Sequence, residues 1–342
     1  MQRRLRPLPY FAIAIVATLV AACVHLAKGS FPLGFGDVVS GLGRGLGMVD
    51  GAAEKSQWIL LELRLPRLLV ALFAGASLAV AGVMMQAVFR NPLASPEVMG
   101  TAAGAALGAV LAIVSGFATA STLAAPSAAF VAAGVVSVIV YVAAAGPGGV
   151  SVTGLLLAGI AMNTLVGALI AFVVALFFRN TEIAGPVLFW LMGGLETQPM
   201  QNAWIVGGGL LVFGVAAVPF LRDMDLLTLK DESAESLGVD VGRLRQILLV
   251  LACGLTASAV ACTGGIVFVG LVVPHLVRLL IGPAHRGLLP CAAVTGALVL
   301  VLADCVVKLF PGAQLRLGVV TSLIGAPFFL HLLSRYRRGV LR

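Results

Sequence analysis

Arg64-Leu-Pro-Arg67 is followed by the uncharged, Gly/Ala-rich run Leu68–Phe89, and then by Arg90-Asn-Pro-Leu-Ala-Ser-Pro96. The run matches one helical membrane crossing, which needs about 20 apolar residues. Arginines bracket it at both ends. Downstream, no Asp, Glu, Lys, Arg or His occurs from Val98 to Phe178, which leaves room for three more crossings. The 342 residues are 60% hydrophobic and only 11% charged, with a mean hydropathy of +1.09. Such a composition excludes a soluble domain. A chain that must satisfy its own backbone in lipid folds as helices or as a closed barrel. These long continuous apolar runs select helices, so the expected class is an all-α polytopic membrane protein. Nothing in the length divides residues 1–342 into more than one transmembrane domain.

Apolar runs and their breaks predict about ten spans, at roughly 9–27, 67–89, 96–115, 121–145, 152–178, 203–221, 244–262, 266–282, 288–307 and 317–334. Only Gly264-Gly265 separates the seventh from the eighth. Basic residues favour the cytoplasmic side of a membrane. With the N-terminus inside, the inside set is Arg3, Arg4, Arg6, Arg90, Arg222, Lys230, Arg243, Arg245, Arg278, Arg286, Arg335, Arg337, Arg338 and Arg342. The outside set is smaller: Lys28, Arg44, Lys55, Arg64, Arg67, Arg179, Lys308 and Arg316. Both termini are therefore expected in the cytoplasm, and the net charge of +8 reflects topology rather than nucleic-acid binding. The basic start and first apolar run have the form of a signal peptide, and Val20-Ala-Ala-Cys23 has that of a cleavage box. In so polytopic a chain an uncleaved signal-anchor helix is expected.

The five cysteines are scattered through apolar segments without C-x-x-C spacing, and the four histidines show no paired spacing. No metal site is expected. Gly100, Gly104 and Gly108 repeat every four residues in the third span, which lets a neighbouring backbone approach. Packing within the chain explains them, and a dimer face is the sharper alternative. At an offset of 179, Arg64-Leu65 matches Arg243-Leu244 and Gly75 matches Gly254. Repeats five spans apart have opposite topology, a common transporter plan. Breaks near Pro92 and Pro274 would then be comparable interruptions lining a pathway. Outside, a short surface helix is expected within 186–195.

The inside segment 222–245 concentrates Asp225, Asp231, Glu232, Glu235 and Asp240. It reads as two short helices. Asp231 or Ser233 would cap a turn running to Leu237, ended by Gly238 in a left-handed cap. Leu226, Leu229, Ala234 and Leu237 form an apolar side that can dock into a groove on another protein. A solvated connecting loop is the plainer reading.

The R-L-P-R and R-N-P-L-A-x-P pair, one crossing apart, resembles the permease subunits of ABC importers for iron–siderophores, haem and cobalamin, the FecCD family. The resemblance runs from about Arg64 to the C-terminus. It recurs in Leu155-Leu-Leu-Ala-Gly-Ile160, Phe189-Trp-Leu-Met-Gly-Gly194, Phe268-Val-Gly-Leu-Val-Val-Pro-His275 and Ile324-Gly-Ala-Pro-Phe328. It implies a type II importer permease of inverted five-helix repeats in the bacterial inner membrane. The implied partners are a second permease (homodimer or close paralogue), two P-loop ATPase subunits and a periplasmic substrate-binding protein. The resemblance assigns Arg64, Arg67 and Lys308 to binding-protein docking. Asn91, Leu93, Ser151 and Thr153 become a cytoplasmic gate, and the segment with Asp231, Glu232, Ala234, Leu237 and Gly238 becomes the ATPase coupling region. Headgroup anchoring for the arginines and helix capping for the gate residues are the plainer alternatives. Two stretches depart from the family pattern, Gln314-Leu-Arg-Leu-Gly318 and Gly264-Gly-Ile-Val-Phe-Val-Gly270. The first introduces Arg316 and lacks an acid at the outside mouth.

The chain has no G-x-x-x-x-G-K-[ST] phosphate loop, so ATP-Mg would be used by a partner and no cofactor is expected here. No nucleophile–base pattern suggests an enzyme, and His275 and Arg278 are expected to make structural hydrogen bonds. An ion-coupled secondary transporter would want ionisable groups within its spans, and the central spans have none. Ferric siderophore is the expected cargo as the commonest in the family, with haem and cobalamin as alternatives.

Overall fold

A computed structural model describes residues 5–29, 31, 33–45, 55–146, 149–177, 180–196, 198–310 and 315–337. Arg3, Arg4, Arg179, Gln314, Arg338 and Arg342 lie outside those residues. Helix α1 (Pro7–Ala27) is followed by α2 (Phe35–Gly45) and α3 (Lys55–Trp58). A π-helical turn, Ile59–Arg64, leads into α4 (Leu65–Val88). The turn has a local cause: Pro66 has no N–H to give to its preceding turn, and the Leu65 N–H reaches back to the Leu60 carbonyl instead. Then come α5 (Thr101–Val114), α6 (Ala124–Ala143), α7 (Val152–Phe177) and α8 (Thr181–Leu191). The chain continues through α9 (Met200–Gly209), α10 (Leu221–Leu227), α11 (Asp231–Ser236), α12 (Val241–Thr263), α13 (Val269–Ile281), α14 (His285–Lys308) and α15 (Leu317–Arg337). A two-residue hairpin, Ala145–Gly146 with Gly149–Val150, precedes α7.

Each expected span has a helix, but among the described residues only seven helical stretches are long and apolar enough to cross a membrane alone. The third and eighth spans shorten to the 14 residues of α5 and the 13 of α13. Both begin after a break. A 3₁₀ turn (Pro96–Met99) and left-handed Gly100 precede α5, and left-handed Phe268 precedes α13. The expected interruption at Pro274 is corrected. That proline lies inside α13, and the break falls at 264–268, where Gly264 turns against α8. The short helix expected within 186–195 starts at Thr181, earlier than expected, because Asn180 accepts the Glu182 N–H at 3.1 Å and caps it.

Helix α4 is the spine, buried along nearly its whole length and packed by α14, α12, α13 and α9. Gly75 and Gly296 let α4 cross α14 at backbone contact: a Cβ on either would stand 2.3 Å from the other's carbonyl oxygen. Gly104 and Gly108 bring α5 equally close to α6, so the four-residue glycine spacing serves packing within the chain. Gly100 also lies against α6, where a Cβ would meet the Val136 side chain at 2.9 Å, and its φ of +72° provides the turn before α5. Helix α1 lies along α14, with Tyr10 Oη 3.0 Å from Thr295 Oγ1. Helix α7 is different: of its residues only Leu155, Gly159 and Val166 are buried.

Candidate functional site

The C-terminal ends of α1 and α14 meet the N-terminal end of α4 in a charge cluster. Asp304 is 0% exposed and accepts from Arg67 Nε and Nη2, both at 2.7 Å. His25 Nε2 lies 2.7 Å from the same carboxylate. Lys308 Nζ donates to His25 Nδ1 at 3.2 Å and to the His25 carbonyl at 2.9 Å. A carboxylate only accepts and an ammonium only donates, so His25 carries its proton on Nε2 and remains neutral. Arg64 is buried, and its guanidinium donates to the carbonyls of Leu26, Ala27 and Phe31. The first two are end carbonyls of α1, which lack intrahelical partners.

Arg64, Arg67 and Lys308 turn inward and fasten three helices together; Arg64 is buried, while Arg67 and Lys308 each keep a partly exposed edge. Asp304 accepts from Arg67 and His25 rather than from Lys308 one turn away. Arg316, the departure before α15, finds its acid in another loop. It donates to Glu196 at 2.6 Å and stands 4.1 Å over the Phe189 ring. Beside this pair a cavity of about 370 Å³ is lined by Trp190, Gln198, Asn202 and Thr263.

At the opposite end, segment 222–245 forms the two expected short helices, α10 and α11. Met224, Leu227 and Ala234 are buried, and Asp225 accepts the His285 N–H at 2.9 Å and lies 2.6 Å from its Nδ1. Gly238 ends α11 with φ +86°, as expected. Neither Asp231 nor Ser233 caps the helix; Lys230 occupies that position without a side-chain bond. The Asp231 carboxylate is held instead by Arg90 and by Arg245 Nη2, the latter at 2.9 Å. Burial alone would raise this carboxyl; the hydrogen bonds and charges of the two arginines outweigh it and hold the group below the usual carboxylate range. The expected apolar side divides. Ala234 is 0% exposed, while Leu237 is 59% exposed and Leu229 also faces out, with Glu232 and Gly238 exposed nearby.

The expected gate residues lie at two turns. Asn91 Oδ1 accepts the Leu93 N–H at 2.9 Å, and Ser151 Oγ accepts the Gly154 N–H at 2.9 Å, capping α7. Asn91, Ser151 and Thr153 are exposed. Among the described residues no hydrogen bond joins the two turns, so capping accounts for both within one chain. His275 is buried beside Pro92 with neither ring nitrogen in a well-formed bond, against the expectation for it. Arg278 does bond, weakly, to Gln86 Oε1 at 3.4 Å. Among the described residues, no group of three His, Cys, Asp or Glu could hold a metal ion.

Arg90, Arg245, His25 and Glu196 were not singled out as site residues by sequence. Arg90, His25 and Glu196 act through partners 120 or more positions away, and Arg245 through Asp231 14 positions away across the turn between α11 and α12, and no local pattern marks such pairs.

The sequence profile of the FecCD transport family matches residues 17–335. The Fe(3+) dicitrate transport system permease protein FecD of Escherichia coli (strain K12) is 39% identical, over 84% of this chain and 88% of that protein. The cobalamin import system permease protein BtuC of Halobacterium salinarum is 37% identical, over 83% of this chain and 75% of that protein. Among solved structures, one described as an inward-facing ABC transporter of the metal-chelate type superposes with a TM-score of 0.81. It is 29% identical and covers 96% of this chain and 99% of its own.

Proposed function

This chain belongs to the FecCD transport family and is an ABC importer permease, and from that premise we propose that it carries ferric siderophores across the bacterial inner membrane by alternating access. The observation that carries the reading is the mounting of α10 and α11. They are anchored from beneath by Met224, Leu227, Ala234 and the Asp225–His285 pair, yet Leu229 and Leu237 face water. A firmly held helix pair with an open apolar face is a docking element. Its proposed occupant is a P-loop ATPase subunit, one on each of two permease chains, which uses ATP-Mg while this chain binds no cofactor.

The second permease, a homodimer mate or close paralogue, covers the open apolar face of α7, where Leu157, Ile160, Leu165 and Phe172 are exposed. Asn91, Leu93, Ser151 and Thr153 become a gate only when the two copies bring their turns together. A substrate-loaded periplasmic protein docks outside, where Arg67 and Lys308 keep partly exposed edges open to it. Both termini then lie in the cytoplasm. The uncharged α7 suits a pathway that a bulky chelate crosses without being held.

The relative at 39% identity, named for Fe(3+) dicitrate, supports an iron chelate. Haem and cobalamin are the alternatives. Reconstituted complex with its ATPase and binding protein decides among them: uptake of labelled ferric siderophore, ferric citrate, haem and cobalamin is measured with and without ATP. ATP-dependent uptake of cobalamin or haem alone would overturn the iron assignment. Uptake driven by an ion gradient without ATP would overturn the importer mechanism.

A further inference from the structure

We propose that Arg90 is a strut that transmits movement of the docking helices α10 and α11 to the turn Asn91–Leu93. It is a positioning residue for transport that touches neither substrate nor ATPase. The proposal rests on reading α10–α11 as the ATPase-docking element.

The argument starts from the backbone. Helix α4 ends at Val88, and Arg90 has φ +48°. The Arg90 N–H returns to the Ala87 carbonyl and the Asn91 N–H to the Gln86 carbonyl, each at 3.2 Å. That pair of bonds is the Schellman ending, whose left-handed position is usually glycine because a Cβ there crowds the backbone. A glycine would therefore make the same turn with less strain. Strained backbone persists where the surroundings hold it in place, and here the side chain is what the surroundings hold.

The Arg90 guanidinium grips both docking helices at once. Its Nε donates to the Leu227 carbonyl, the last residue of α10, at 2.6 Å. Its Nη2 donates to Asp231, the first residue of α11. Arg245 at the start of α12 holds the same carboxylate oxygen at 2.9 Å. Arginine's planar fork suits two acceptors in fixed relation better than a lysine's point charge. The Asp231 side chain is 44% exposed and that of Arg90 28%, and ion pairs this wet contribute little to stability. Stability therefore does not account for an arginine where glycine fits best.

On the other side of Arg90 the chain is short and stiff. Pro92 fixes its own φ, Asn91 Oδ1 holds the Leu93 N–H, and the Ala94 N–H returns to the Asn91 carbonyl at 3.0 Å. A displacement of α10 and α11 reaches Asn91 and Leu93 with no flexible linker between to absorb it.

The test uses the complex with its ATPase and binding protein in liposomes. Arg90→Gly preserves the turn and removes the fork. The expected result is an unchanged yield and thermal midpoint, an unchanged amount of co-purified ATPase and continued ATP hydrolysis. Substrate delivered per ATP falls about tenfold, within the range produced by substitutions along a coupling path. Arg90→Lys, which keeps the charge but loses the fork, falls between. Parent-like delivery per ATP in Arg90→Gly overturns the strut. So does loss of the ATPase from Arg90→Gly, because Arg90 would then shape the docking face rather than transmit its motion. The underlying reading has its own control: if Leu237→Glu leaves ATPase association untouched, α10–α11 is not the docking element, and the proposal falls with it.

Discussion

Replacing Arg67 with alanine tests whether the outer charges are a lock. The Asp304 carboxylate is fully buried and takes two of its three close bonds from Arg67. The substitution leaves that charge in a low dielectric with neutral His25 as its remaining close donor. Breaking a buried pair from one side typically costs about 3–5 kcal/mol, or roughly two to three and a half decades in the folding equilibrium at about 1.4 kcal/mol per decade. Removing both charges is a different perturbation. In the double variant Arg67→Met/Asp304→Leu no fully buried charge is stranded, because the Lys308 ammonium that remains is partly exposed, and replacing a buried pair with apolar groups is often neutral. The one remaining defect is the His25 Nε2–H without an acceptor, at about 1–3 kcal/mol. The double variant should therefore be about 2 kcal/mol more stable than Arg67→Ala, the reverse of additive damage. Denaturation in mixed micelles, titrated with sodium dodecyl sulfate and followed by tryptophan fluorescence, reads both differences. A single variant that loses less than about 1 kcal/mol, the scale of an exposed pair, would refute the lock. So would a double variant no better than the single. If Arg67 acts instead at a docking surface, stability stays level and association with the binding protein slows in a salt-dependent way.

Leu237→Glu should weaken ATPase co-purification without lowering the yield of folded chain, whereas Ala234→Glu, which buries a charge, should lower the yield itself; quantitative size-exclusion profiles of both separate the two outcomes. The Asp231 carboxyl is held low by its arginines, so its contribution is full above the unfolded value of about 3.9 and is lost as pH falls through the lower folded value. The thermal midpoint should thus show no step from this group between pH 5 and 8, and Asp231→Asn should remove only a limb below about pH 4. Cysteines at Leu93 in two permease copies should cross-link far better in one nucleotide state than in the other; equal yields with and without ATP would leave Asn91 and Leu93 as ordinary turn residues.

The fold was legible because membrane crossings announce themselves locally. Runs such as 152–178 are long, uncharged and bounded by Gly, Pro or charge, and α7 follows that run within one residue. The Gly238 ending was legible for the same reason: a glycine just past a short amphipathic turn has one common use. The site was harder to read because its chemistry is paired at long range. Arg67 and Asp304 are separated by 237 positions, and Arg90 and Asp231 by 141. A charge at the end of a span reads equally as a lipid anchor, a docking residue or half of an internal pair. Only its partner decides, and hydropathy cannot name the partner. Ala234 shows the complementary limit: amphipathic periodicity identified an apolar side without saying which part of it the chain buries against itself.

Helix α4 joins the two ends of the molecule. Its 24 residues make a rod about 36 Å long at about 1.5 Å per residue. Arg64 and Arg67 fix its N-terminal end to α1 and α14, and Arg90 ties its C-terminal end to α10 and α11. Close packing along its length, with Gly75 against Gly296, leaves little room for bending. A rod held at one end and moved at the other tilts. A tilt of about 5° over that length carries its C-terminal end roughly 3 Å, and the turn Asn91–Leu93, the gate proposed between two copies, would move with it. If Arg90 is the strut proposed, the two ends have complementary duties: without the Arg67–Asp304 pair the same push would slide α4 past α14, and without Arg90 no push would reach it. The near-total burial of α4 and the arginines at both of its ends serve one requirement, a rigid element whose pivot and handle are both specified.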